Sequence, residues 1–239
     1  MGKFLKSLLV LATFVVFSQG AQAQDLAGTW ERTAPFGDKE ITYVMLFSGA
    51  YFTWTAYYSD DGKFIATKGG QFTIKGEDLK FTYEFDTADS TMVGRTESHP
   101  AILKGKNLVM DNNLKFKRTD MGKSTPITGA WLISGRKRGE EIVKRSTDGP
   151  RKTMKILTGN RFQWIAFNTE TKRFMGSGGG AYTAENGKYI EQIGFFSRDD
   201  SRVGAALDFK FEVIDGDWHH SGKSSKGSPI YEVWSKRMK

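Results

Sequence analysis

The chain has no cysteine among its 239 residues. That excludes disulfides, thiolate metal sites and the cysteine-linked lipid of an exported lipoprotein. Outside the N-terminus no apolar run approaches the roughly 20 residues a membrane-spanning helix needs, so no transmembrane segment is expected in the mature chain. No amphipathic helical period of useful length is present. Histidine is scarce: His99, His219 and His220 are the only three. With so few ligating side chains a metal site is not expected, and His219 and His220 as neighbours in a strand point to opposite faces. Gly-x-Ser-x-Gly, His-Glu-x-x-His and Ser/His/Asp signatures are all absent. No catalytic residue is therefore assigned on motif grounds, no cofactor is expected, and a binding role is favoured over an enzymatic one.

The N-terminus carries a targeting pattern. Lys3 and Lys6 precede the apolar run Leu8 to Phe17, and Ala21-Gln22-Ala23 supplies a small-x-small cleavage site. Residues 1–23 read as a signal peptide cut after Ala23, which predicts a periplasmic or secreted protein. Net charge is +8, or +6 without those two lysines. The densest basic stretch, Arg136-Lys137-Arg138 with Lys144-Arg145, is interrupted by Glu140 and Glu141. Export argues against a nucleic-acid partner; contact with anionic envelope polymers is the milder expectation.

The organising feature is a duplication. Gly159, Phe162, Trp164, Ala166, Phe174, Gly179 and Thr183 repeat Gly49, Phe52, Trp54, Ala56, Phe64, Gly69 and Thr73 at a constant offset of 110, and Phe195, Asp199, Val203 and Gly204 repeat Phe85, Asp89, Val93 and Gly94. A period this long is a repeated domain rather than a short solenoid unit. Each half opens on Gly-x-Trp, Gly28-Thr29-Trp30 and Gly129-Ala130-Trp131. The Trp offset is 101, so the second half holds nine extra residues between Gly135 and Arg151, expected as a surface loop. The boundaries are 24–119 for the first domain, 120–126 for a Gly- and Pro-punctuated linker, and 127–239 for the second. Alternating aromatic and polar residues between Gly, Asn and Asp turns read as many short strands, with Asn186-Gly187 the strongest hairpin signal. This is an all-β chain of two antiparallel barrels or sandwiches. Gly178-Gly179-Gly180 leads into a strand and lacks the Lys-Ser/Thr of a phosphate loop, so it reads as a bulge or close strand approach.

Gly-x-Trp on the first strand, a meander of hairpins and a basic residue in the last strand resemble the lipocalin and calycin pattern, and the second half is similar to lipocalin-like domains of secreted bacterial proteins. The resemblance implies two tandem up-and-down lipocalin-like barrels. It also implies a floor in which Gly28, Trp30 and Arg118, or the adjacent Lys117, close the first barrel, and Gly129, Trp131 and Arg237, or the adjacent Lys236, close the second.

Three positions change from apolar to polar between the copies. Glu191 replaces Phe81, and His219-His220 replaces Val109-Met110. Trp218 shares a face with His220, and Trp164 and Tyr182 lie on strands expected to line the same barrel. Trp164, Tyr182, Glu191, Trp218 and His220 are thus the candidate contacts for a small, partly apolar ligand in the second barrel, although aromatics there also suit a filled core. Two alternatives stand beside this reading. One is an envelope enzyme using Glu191 and His220 as acid and base. The other is an envelope interaction module using the basic stretch.

Overall fold

The computed structural model describes residues 25–120, 123–224 and 226–238. The proposed signal peptide and its cleavage site lie outside them. Among the described residues no helix is long and apolar enough to cross a membrane.

The first half folds as β1 (Gly28–Phe36), β2 (Lys39–Ser48), β3 (Tyr51–Tyr58), β4 (Phe64–Lys75), β5 (Asp78–Asp86), β6 (Thr96–Lys104), β7 (Asn107–Met110) and β8 (Leu114–Arg118). Each strand pairs antiparallel with the next, and β8 returns to β1 through Trp30↔Arg118 and Glu31↔Lys117. The second half folds as β9 (Gly129–Arg138), β10 (Glu141–Lys144), β11 (Arg151–Leu157), β12 (Arg161–Asn168), β13 (Arg173–Glu185), β14 (Lys188–Phe196), β15 (Ala206–Ile214), β16 (Asp217–Lys223) and β17 (Pro229–Lys236). Strand β17 pairs with β9 and closes it. The chain is two tandem closed eight-stranded antiparallel barrels. Closure pairs the first and last strands of each barrel, whose edges an open sheet leaves exposed.

The extra residues of the second half do not form a bare loop. They extend β9 and fold back as β10, a ninth strand paired only to β9. The hairpin pairs one edge of β10 with β9, which an irregular excursion of that length would not do.

Gly179 and Gly180 sit at a bulge against β14, as Gly69 and Gly70 do against β5. A Cβ on Gly70 would overlap the Thr82 carbonyl, and one on Gly180 the Gln192 carbonyl. Close strand approach demands glycine at both places. In β5 the extra residue of the bulge is Glu84.

The two floors share one hydrogen bond. The Trp30 indole N–H donates to the Leu26 carbonyl and that of Trp131 to the Ile127 carbonyl, both at 2.8 Å. The Arg118 guanidinium lies 5.6 Å from the Trp30 ring, and Gly28 leaves room for the Asp120 carboxylate that holds it. In the second barrel Lys236, not Arg237, covers Trp131, at 5.8 Å. Lys236 is the register partner of Trp131. The next residue necessarily points the other way: Arg237 leaves the floor and makes a bidentate pair with Glu84 at 2.6 and 2.7 Å, its guanidinium 4.1 Å over the Tyr51 ring.

That contact belongs to a tight junction between the barrels. Val44, Leu46, Tyr51 and Phe85 pack on Ala130, Leu132, Met154, Ile156, Ile165 and Phe167. The junction repeats the duplication. Tyr57 stacks on Phe195 at 5.5 Å, its counterpart Phe167 meets Phe85 at 5.0 Å, and Phe64 faces its own counterpart Phe174 at 6.2 Å. This is the contact pattern of an isologous dimer, made within one chain. At its centre the buried Gln163 amide accepts from Thr55 and donates to Thr67 and Ser177, all at 3.0 Å. Strand β12 therefore buries both faces: Phe162 and Trp164 inward, Gln163, Ile165 and Phe167 against the neighbour.

Candidate functional site

The first barrel is filled. Met45, Phe47, Phe52, Phe72, Phe81, Leu108, Met110 and Phe116 are all buried, with Phe52 and Phe81 stacked at 4.1 Å. It is not poor in polar groups, as the comparison at Glu191 and His220 suggested. Over its core ring Phe81 runs a network of its own. Lys68 covers Trp54, Tyr83 donates to Glu97 at 2.7 Å, and His99 meets Asp111 at 3.1 Å. Tyr83 and Glu97 satisfy one another, but the buried Nε2 of His99 has no hydrogen-bond partner.

The second barrel substitutes charge into the core. Lys155 follows Met154 in β11 and so turns inward where Met154 faces the junction. It stands 110 residues after Met45. Its Nζ lies 2.7 Å from Glu191 Oε1, with both side chains almost wholly buried. Tyr189 donates to the same oxygen at 2.8 Å. Four rings surround the ammonium: Tyr189 and Trp218 at 5.1 Å, Trp234 at 5.3 Å and Phe209 at 5.8 Å. Burial, reinforced by the Glu191 charge, pushes the Tyr189 phenol well above its ordinary 10, so it remains a neutral donor.

Above this pair lies an open cavity of about 320 Å³. Its apolar walls are Trp164, Phe196, Leu207, Phe209, Ile230 and Trp234; its polar groups include Lys155, Glu191, His220 and, at the rim, Glu232 paired to Arg136 at 3.1 Å. His220 is 2% exposed, and neither ring nitrogen has a hydrogen-bond partner; Glu232 is its nearest carboxylate, at 3.6 Å. Phe209 flanks the imidazole at 4.1 Å and Trp218 at 5.4 Å. Burial first, then the Lys155 charge, lowers the His220 pKa below 6.5, against the opposing pull of Glu232. Burial raises Glu232, but His220 and Lys155 leave it below its ordinary value. The indole N–H groups of Trp218 and Trp234 are likewise buried without acceptors. Orphaned buried donors are uncommon in folded proteins, and here three side chains of one barrel carry them.

Of the five residues the sequence singles out, Trp164, Glu191 and His220 line this cavity, and Trp218 lies just beneath it against Lys155 and His220. Tyr182 does not. Its hydroxyl is engaged by Thr125 at 2.9 Å and by the Thr158 carbonyl at the closed end of the barrel, so it is a structural residue. Glu191 and His220 face one cavity without touching: Glu191 is held by Lys155 and Tyr189. Sequence reasoning missed Lys155 and Glu232, and it placed Arg136 in the basic stretch without its pairing to Glu232 at the cavity rim. The first could have been found from the 110-residue register, since Met45 is apolar; the Arg136–Glu232 pair forms across strands and has no local signature.

The basic stretch flanks the same rim. Arg136, Arg138, Val143, Lys144 and Arg145 line a cleft of about 160 Å³ that contains no carboxylate. A larger concavity on the outer wall, where His219 accepts from or donates to the Tyr231 hydroxyl at 2.9 Å, is broad and open to solvent. No protein family matches the chain, and no curated protein does.

Proposed function

We propose that this chain is an exported, lipocalin-like carrier that holds one small, largely apolar molecule in its second barrel. The observation that carries the reading is the pairing of an open cavity with His220, a buried imidazole with no hydrogen-bond partner. His99 Nε2 is a similar orphan in the first barrel, so the reading rests on the cavity: a ligand packed against His220 replaces what burial took from it. The volume falls at the lower end of small-molecule pockets, about 300–1,000 Å³. The first barrel, filled by its aromatic core, serves as the scaffold that the junction locks to the second. The cation-lined cleft at the rim supports an accessory attraction to anionic envelope polymers, which salt would weaken.

The test is native mass spectrometry of the mature protein purified from its own host. A stoichiometric small-molecule adduct, lost in Trp164→Ala and in His220→Ala, supports a carrier. A clean apo mass, together with no ligand-induced change in tryptophan fluorescence across an apolar compound library, overturns it.

A further inference from the structure

The polar floor of the cavity also restricts which molecule fits. Both hydrogen bonds to Glu191 fall on Oε1, from Lys155 at 2.7 Å and Tyr189 at 2.8 Å. Oε2 accepts none. One N–H of the Lys155 ammonium is used on Glu191, and the remaining ones face rings, which attract a cation but accept no conventional hydrogen bond. The floor thus offers one unused acceptor beside unused donors. Opposite charges in contact mean that a ligand group reaching one also reaches the other. A carboxylate would sit against Glu191, and an ammonium against Lys155. The rim repeats the balance, with Arg136 against Glu232. The cavity walls therefore carry two positive and two negative side chains and no net charge to recruit an ion.

Resting on the carrier reading, we propose that the ligand is a neutral ring compound bearing a hydroxyl group, a phenol or cyclic alcohol, whose oxygen accepts from Lys155 and donates to Glu191 Oε2. A hydroxyl is the simplest group that is donor and acceptor at once. The ring lies between Trp164 and Phe196 on one side and Phe209 and Trp234 on the other; offset or edge-on contact with such rings suits a flat body.

Three probes with one body separate the heads: 2-naphthol, 2-naphthoate and 2-naphthylmethylammonium, titrated into the full mature chain at neutral pH by calorimetry. 2-Naphthol should bind at least about tenfold more tightly than either ion. Glu191→Gln keeps an oxygen for Lys155 and Tyr189 but exchanges the free acceptor for a donor and leaves the ammonium uncompensated. It should reverse the order in favour of 2-naphthoate. Lys155→Met, the side chain of the first barrel, should shift it towards the ammonium probe. If either ion binds the unmodified protein as tightly as 2-naphthol, the hydroxyl assignment falls while the carrier reading stands. If none of the three binds and no adduct copurifies, both fall. Thermal melts of each variant show whether a lost titration is lost folding, and the ranking on the unmodified chain decides the proposal without them.

Discussion

Lys155→Met is the perturbation whose cost can be worked most closely. Methionine fills the same space among Tyr189, Phe209, Trp218 and Trp234, so little packing is lost. What changes is the charge. The Glu191 carboxylate is left almost fully buried with one hydrogen bond, from Tyr189. Breaking a buried ion pair from one side costs about 3–5 kcal/mol. The penalty should therefore be about 3–5 kcal/mol at neutral pH. Urea unfolding followed by tryptophan fluorescence reads this directly. Lys155→Met/Glu191→Gln removes both charges and should recover most of the loss. A single variant that costs less than about 1 kcal/mol, or a double variant whose cost equals the sum of the two single ones, would refute the account of Lys155 as the neutralising partner of Glu191.

Other expectations rest on separate contacts. His220 is held below its ordinary 6.5, so the unfolded chain takes up its proton first as pH falls. The unmodified protein should lose stability on acidification from about pH 6.5 down to the folded-state value, and His220→Met should flatten that segment in melts across pH. Arg237→Ala strands Glu84 inside the junction; about 3 kcal/mol of stability should be lost, seen as a lower urea midpoint and faster proteolysis between the barrels. Gly180→Ala drives a methyl into the Gln192 carbonyl and should cost about 2 kcal/mol or more, whereas alanine at the open turn glycine Gly149, with nothing near its Cβ, should change the melting temperature little.

The sequence by itself determined the all-β class, the duplication and which residues of each strand share a face, because these are matters of period and of local turn chemistry; which face turns inward was left to the closed barrel. Period 2 places Trp218 and His220 on one face whatever the rest of the chain does, and a glycine pair in register 110 marks the same bulge twice. The floor role of Trp30 and Trp131 came from the resemblance to the lipocalin pattern and not from periodicity. Which basic residue covers Trp131 depends on one step of register at β17, and only closure against β9 chose Lys236 over Arg237. Tertiary structure also decided why Gln163, Ile165 and Phe167 are buried on a face that a lone barrel would turn to water: a second barrel lies there. It decided that Tyr182 reaches back to Thr125 and Thr158 instead of into the cavity. The partnership of Lys155 with Glu191 spans 36 residues and three intervening strand edges. No local pattern encodes such a pair, since each residue alone reads as an unfavourable charge in a strand, and only barrel closure brings the two within 2.7 Å.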